Sequence, residues 1–214
     1  MSVVDKKILS LDIGIKNLSY ILISIPDNDD KSNIESSFSI IDWGILSIID
    51  EKEKVKDFSF TEISDKLFSK LTTKFTDDYI KSIEYVILEN QPVLKNPVMK
   101  SIQMMLYSYF YTLKYRNNYD KMILKLQSAT LKIKVENYLL NYNDKDSVIN
   151  EVNSKKKKLN YKETKDKGIS LTTYILENNN LITNDNKELF NKSKKKDDLA
   201  DCLLQGLYYA YNII

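Results

Sequence analysis

The stretch "ILSLDIGIKNLSY", residues Ile8 to Tyr20, places one carboxylate, Asp12, inside an apolar run, with Gly14 two positions later. The run reads as a buried strand over Ile8–Gly14, and "LSYILISI" (Leu18–Ile25) as a second, joined by a tight turn around "GIKN". A polar loop, "PDNDDKSNIESS", leads to a third strand, "FSIIDWGILSI" (Phe38–Ile48), with Gly44 as the expected bulge. Three β-rich runs with short links predict an antiparallel meander. Asp12 sits in its first strand, where an unpaired carboxylate costs several kcal/mol to bury.

Beyond the meander the period changes. Phe60, Ile63, Leu67 and Leu71 recur at helical spacing. "YVILEN" (Tyr85–Asn90) is a short buried strand with Glu89 near its end. Asn96–Tyr115 predicts a long helix with Asn96 as N-cap and Pro97 in the first turn. "KMILKLQ" (Lys121–Gln127) is a fifth strand, and two closing helices begin at Tyr161 and Lys195. The order is βββ-α-β-α-β-α-α. It implies an α/β fold with a mixed five-stranded sheet, an antiparallel opening meander followed by alternating strands and helices, covered by helices. A chain of 214 residues fits a single domain over 1–214, and its polar stretch about 141–160 reads as an inserted mobile segment.

Composition removes whole classes of chemistry. There is no histidine, and Cys202 is the only cysteine, so His-based triads, multi-cysteine zinc sites and internal disulfides are excluded. Net charge is only +2, but it is segregated: Asp27–Lys66 sums to −6 and Glu151–Lys167 to +4, with "KSKKK" (Lys192–Lys196) following. Such asymmetry points to a polyanionic partner. Thirty-one of the 32 basic residues are lysine, a bias that matches an A/T-rich coding genome. No apolar run reaches the ~20 residues of a membrane span. A soluble intracellular protein is expected, at a cytoplasmic site of viral replication first and in the mitochondrion second.

Four acids stand where an acid is awkward: Asp12, Glu89, and the pair Asp198 and Asp201 in "KKDDLADCLLQGLYYAY". Three residues apart, the last two share one helical face, whereas Asp197 is displaced from it. Singly, each has an ordinary alternative: a turn or salt bridge for Asp12, a strand end for Glu89, a favourable helix N-terminus for the pair. Together, and without histidine or cysteine, they form an oxygen-ligand set of the kind hard divalent cations choose. Two magnesium ions in such a site hydrolyse phosphodiesters, and flanking lysines hold the nucleic-acid backbone. Asn90, Gln91, Lys95 and Asn96 precede a helix N-terminus, a natural phosphate site, although a turn-forming role suits Gln91 equally.

The segments "LSLDIGIKNLSYILI", "DWGILSI", "YVILENQPVLKNPVMKSIQMMLYSYF" and "KKKDDLADCLLQGLYYA" resemble RuvC-like Holliday junction resolvases of the poxviral and mitochondrial branch. These belong to the retroviral-integrase superfamily with an RNase H-like fold. Residues Lys132 to Lys158 match least. The resemblance implies two Mg²⁺ ions per active site, with Mn²⁺ able to substitute, held by Asp12, Glu89, Asp198 and Asp201, with Asp12 bridging. It implies a lysine near the scissile phosphate, which "YKETKDKGI" places at Lys165 with Lys167 second; Thr164 and Asp166 depart from the basic pattern there. Branched DNA would contact Lys16, Asn17, Gln91, Lys95, Asn96, Lys100, Lys162, Lys167, Lys195 and Lys196. The family acts as a homodimer that nicks four-way junctions in symmetric pairs, and the helix with "MMLYSYFY" is the dimerisation candidate. Tyr107, Tyr109 and Tyr111 alternate there and cannot all face one core. The rivals are another RNase H-like nuclease, cutting RNA–DNA hybrids or flaps, a catalytically silent nucleic-acid-binding or splicing cofactor, and, more distantly, an actin-like kinase.

Overall fold

In this computed structural model, residues 5–26, 34–94, 96–139 and 160–213 are described. Five strands form one mixed sheet in the order β3-β2-β1-β4-β5: β1 Lys6–Asp12, β2 Asn17–Ile25, β3 Ser39–Ser47, β4 Tyr85–Asn90 and β5 Ile123–Ser128. β1, β2 and β3 pair antiparallel, and β4 and β5 add in parallel beside β1. The turn from β1 to β2 requires Gly14, because a Cβ there would stand 2.4 Å from the Asn17 carbonyl oxygen. The expected bulge at Gly44 is not where the irregularity falls. Leu22 pairs with Asp42 and Ile23 with Ile40, so Ile41 is the extra residue, while Gly44 lies under the Tyr20 ring.

Strand alternation sorts the side chains onto two faces. Leu9, Leu11, Val86 and Leu88 point to one, against helices α2 (Phe60–Lys74), α3 (Asp77–Ile80) and α4 (Pro97–Asn117), which follow the short α1 (Ile34–Ser37). Ile8, Ile21, Ile23 and Ile87 point to the other, against α5 (Tyr161–Asn178), α6 (Asn184–Lys192) and α7 (Lys196–Ile213). By the same alternation Ser10 and Asp12 of β1, and Glu89 of β4, fall on the α7 side. Sequence reading places the long elements but not all of them. It does not include α1, α3, α6 or the ten residues of 3-10 turns over Ala129–Tyr138. Of the four residues at helical spacing, Ile63, Leu67 and Leu71 are buried, whereas Phe60, the first residue of α2, is half exposed.

The helix starts carry the chemistry their sequences suggest. Asn96 Oδ1 accepts from the Met99 N–H at 3.1 Å and Pro97 follows it at the first position of α4. Ser59 caps α2, and Asn160 caps α5 with Glu163 returning the bond. The polar stretch expected about 141–160 lies, apart from Asn160, outside the described residues. No helix among the described residues is long and apolar enough to cross a membrane.

Candidate metal centre

Three elements deliver the four acids. In the parallel pairing of β1 with β4, Leu11 stands opposite Leu88, so the next residues, Asp12 and Glu89, leave the sheet side by side. Both are buried. α7 crosses beneath them and is stitched to the sheet one turn below the acids. Gln205 Nε2 reaches the Leu11 carbonyl at 3.0 Å and Ser10 Oγ at 3.1 Å, and Gln127 Nε2 of β5 donates to the Gln205 carbonyl at 3.0 Å. Gly206 permits that approach, since a Cβ would lie 3.2 Å from the Ser10 Cβ. Asp201, four residues before Gln205, is thereby held beside Asp12. Ser19 Oγ donates to the Asp198 carbonyl at 2.6 Å and fixes the first turn of α7.

The centre of the cluster is occupied by a residue that sequence reading does not single out. Lys132, in the 3-10 segment, puts its Nζ 2.7 Å from Asp201 Oδ2, 3.0 Å from Asp12 Oδ1 and 3.6 Å from Glu89 Oε1. Its side chain is only 8% exposed. Burial acts to depress this ammonium, but the charges of Asp12, Asp201 and Glu89 outweigh it and hold the group well above the usual lysine range. The carboxylates feel the converse. Glu89 is raised by burial, then by the charge of Asp12 and a hydrogen bond between the two carboxyls. Asp198 is pushed up to about 6 by burial and by the neighbouring Asp197. Asp201 is raised by burial and by Asp12, against the pull of Lys132. One ammonium does not neutralise four carboxylates.

Lys165 lies elsewhere. Its ammonium pairs with Asp197 and stands 4.9 Å over the Tyr161 ring, at the rim rather than among the acids. Asp197, off the face of its neighbours, therefore serves that pair. Lys167 pairs with Glu136 of the 3-10 segment. Gln91 donates from Nε2 to Glu89 Oε2 at 2.9 Å, and its backbone N–H reaches Gln103 Oε1 at 2.7 Å, so it orients a site carboxylate. Lys100 is held by Asn90 and Gln103, each at 3.1 Å. Lys16 grips the carbonyl of Glu51 at 2.8 Å, and Asn17 opens β2. Lys162 is exposed, Lys195 is half-buried, and Lys196 lies 5.7 Å over the Phe190 ring. Lys95 is outside the described residues. Beside it Val93 and Leu94 are exposed, Leu94 almost fully.

The donor set fits a hard divalent ion: oxygen ligands alone, three of them driven toward protonation by burial and by the charge of neighbouring carboxylates. The one soft donor on α7, the Cys202 thiol, is buried and engaged with the Leu199 carbonyl at 3.1 Å. As the side chains lie, no three acids among the described residues close around one point, and the Lys132 ammonium stands between them.

Residues 8–190 match the family described as mitochondrial resolvase Ydc2 / RNA splicing MRS1. In structure the chain resembles the yeast mitochondrial Holliday junction resolvase Ydc2, with TM-score 0.58 and 20% identity over 98% of this chain and 81% of that one. It also resembles the fowlpox virus resolvase solved with its substrate Holliday junction DNA, at TM-score 0.57 and 18% identity over 97% and 99%. Thermus thermophilus RuvC matches at TM-score 0.52 and 9% identity over 96% and 93%. These likenesses show the fold, which is RNase H-like. In sequence, the uncharacterized protein L451 of Acanthamoeba polyphaga mimivirus is 35% identical over 159 residues, 72% of this chain. The chain spans about a third, 35%, of that relative's length.

Proposed function

We propose that this chain, which belongs to the mitochondrial resolvase Ydc2 / RNA splicing MRS1 family, is a magnesium-dependent, structure-selective endonuclease that resolves four-way and other branched DNA junctions by paired symmetric nicks. The observation that carries this reading is the gathering of Asp12, Glu89 and Asp201, from β1, β4 and α7, around the Lys132 ammonium, with Asp198 one turn earlier on the same helix. The family name also covers RNA splicing, and a silent cofactor would have no use for four neighbouring acids, two buried and two half-buried, that repel one another. The complete set favours the nuclease.

Asp12, Glu89, Asp198 and Asp201 would hold two magnesium ions. When bound, these supply Lewis acidity at the phosphodiester and lower the cost of deprotonating the attacking water. The chain's own residues do the rest. β1, β4 and α7 fix the backbones that carry the carboxylates before substrate arrives, which confines reorganisation to the side chains. Gln91 keeps Glu89 in orientation. Lys132 inside the site and Lys165 at its rim would be the cations available to the charge that develops on phosphate. Lys16, Asn17, Gln91, Lys95, Asn96, Lys100, Lys162, Lys167, Lys195 and Lys196 form the proposed backbone-binding set, and the exposed Val93 and Leu94 would face bases rather than phosphates. Among the described lysines of this set Lys162 is the exposed one, whereas Lys16 and Lys167 must first release protein partners.

A two-fold substrate calls for a two-fold enzyme. The outer face of α4 is the proposed dimer contact. Tyr109 turns inward, donating to the Phe75 carbonyl at 2.9 Å, while Tyr111 and Tyr115 are exposed and Tyr107 stacks on Tyr111 at 6.1 Å. The mimivirus relative supports a viral setting.

The test is a labelled mobile four-way junction incubated with and without Mg²⁺, with cuts mapped on all four strands. Paired symmetric nicks that need the metal are expected. Asp12→Asn should bind the junction and not cut it, and cutting at the wild-type rate would overturn the assignment. Faster cleavage of an RNA–DNA hybrid than of the junction would transfer the reading to a different nuclease on this fold.

A further inference from the structure

Lys132 is the most enclosed cation of the site, and its backbone has little freedom. The 3-10 segment that bears it is pinned to α7 and α5. The Tyr138 ring stacks on Tyr211 at 4.5 Å with the planes 8° apart, Val135 is fully buried, and Glu136 pairs with Lys167. Any change in where the ammonium lies must therefore come from its own side-chain torsions, of which lysine has four. The oxygens it occupies are the ones a metal would need. Asp12 Oδ1 and Asp201 Oδ2 come from β1 and α7, and the Lys132 ammonium bridges these two carboxylates. An ammonium offsets one of four negative charges, whereas a divalent ion offsets two at the same oxygens.

We propose that Lys132 is a built-in competitor for the divalent ions: its ammonium ties Asp12, Glu89 and Asp201 together and must leave their oxygens when an ion binds. It thereby sets the metal concentration at which the centre loads, and below that concentration it offsets the repulsion between the carboxylates of β1, β4 and α7. The inference rests on reading the carboxylates as a metal centre. It concerns binding and stability, so it is separable from any role in cleavage.

The test uses the whole chain as wild type, Lys132→Met and Lys132→Gln. Binding of MnCl₂ and MgCl₂ is measured by isothermal titration calorimetry, and thermal unfolding is followed in EDTA and in saturating Mn²⁺. Both variants should bind Mn²⁺ about tenfold tighter than wild type, the change expected when one competing buried ion pair of modest net strength is removed. Both should melt below wild type in EDTA and recover in Mn²⁺. Lys132→Gln keeps a neutral hydrogen-bond donor, one bond shorter than the lysine, so it supplies the comparison if Lys132→Met does not fold without metal. Binding by a folded variant that is no tighter than wild type overturns the inference while leaving the metal centre standing. Heat of binding from none of the three proteins would overturn the metal centre itself, and the inference with it.

Discussion

Two lysines reach aspartates of the same sheet, on opposite faces, and only one of them is in balance. Lys74 of α2 meets a single acid, Asp42 of β3, at 2.5 Å. The remaining capacity of that carboxylate is met by Tyr79 OH at 2.8 Å and, at its other oxygen, by Tyr20 OH at 3.4 Å. The ammonium also lies 4.8 Å over the Tyr20 ring. One base, one acid and two phenols complete the set, and burial followed by Asp42 holds the Tyr79 hydroxyl in its neutral form. Lys132 meets three carboxylates, with Asp198 nearby as a fourth, and the neutral help it has is the Gln91 amide on Glu89. A satisfied network is what a fold keeps for shape. An unsatisfied one of the same residue types is stable only because the surrounding fold forces it, and it has affinity to spare for further cations.

Removing one carboxylate from each network should therefore act in opposite ways. Asp201→Asn is expected to cut junction cleavage about a thousandfold or more, since it removes a ligand that supplies several kcal/mol at the transition state. Its stability in EDTA should stay within about 1 kcal/mol of wild type, or rise, because the raised pKa of Asp201 means that the fold already disfavours its charge. A loss of more than about 2 kcal/mol in urea unfolding would show that the site is built for stability. Asp42→Asn should do the reverse. It strands Lys74, and a broken buried pair, discounted because both side chains are about a quarter exposed, costs about 2 kcal/mol. Cleavage should remain near wild type once the variant is folded. If Asp42→Asn lost cleavage in a folded, junction-binding protein, the two networks would not be separable.

The contrast also explains what is visible in the sequence. Asp12 and Glu89 stand out because each is one polar residue in a short apolar strand, and strand alternation by itself assigns them a face. Asp198 and Asp201 stand out because three residues apart on a helix is one face. Gln205 belongs to the same stripe but looks like an ordinary polar break in an apolar helix, since what it binds is the edge-on backbone of β1. Lys132 gives no signal at all. "SATLKIKVENY" alternates lysine with aliphatics as a surface strand would, whereas the chain coils there into 3-10 turns that direct Lys132 inward and bury Val135. It also opens the stretch that resembles the family least. The pairing of Lys165 with Asp197 is equally hidden, because the partners lie on separate helices whose contact only tertiary packing decides. The acids are legible because their oddness is local. The cations are not, because their meaning depends on what surrounds them.

The smallest effect concerns pH, and it is unusually clean in this chain. There is no histidine, and among the described residues the carboxylates raised above their usual range are those of the site. Asp197, Glu62 and Asp78 are lowered and change only in more acid solution, and Lys132, Lys165 and Lys74 are raised and change only in more alkaline solution. For Glu89, Asp198 and Asp201 the folded pKa lies above the unfolded one, so folding favours their protonated forms. The stability they confer is fully present below their unfolded values near pH 4, and it is lost as pH rises through the folded values, about 6 for Asp198 and upward also for Glu89 and Asp201. In EDTA the chain should thus be more stable at pH 5 than at pH 8, by about 1 kcal/mol once partial exposure is discounted. Saturating Mn²⁺, which binds the deprotonated acids, should reverse the slope, and Asp201→Asn should flatten it. Urea unfolding at pH 5, 6, 7 and 8 measures all three. A wild-type curve in EDTA that rises over this range would mean that Lys132 alone satisfies the acids, and the difference between the two lysine networks would disappear.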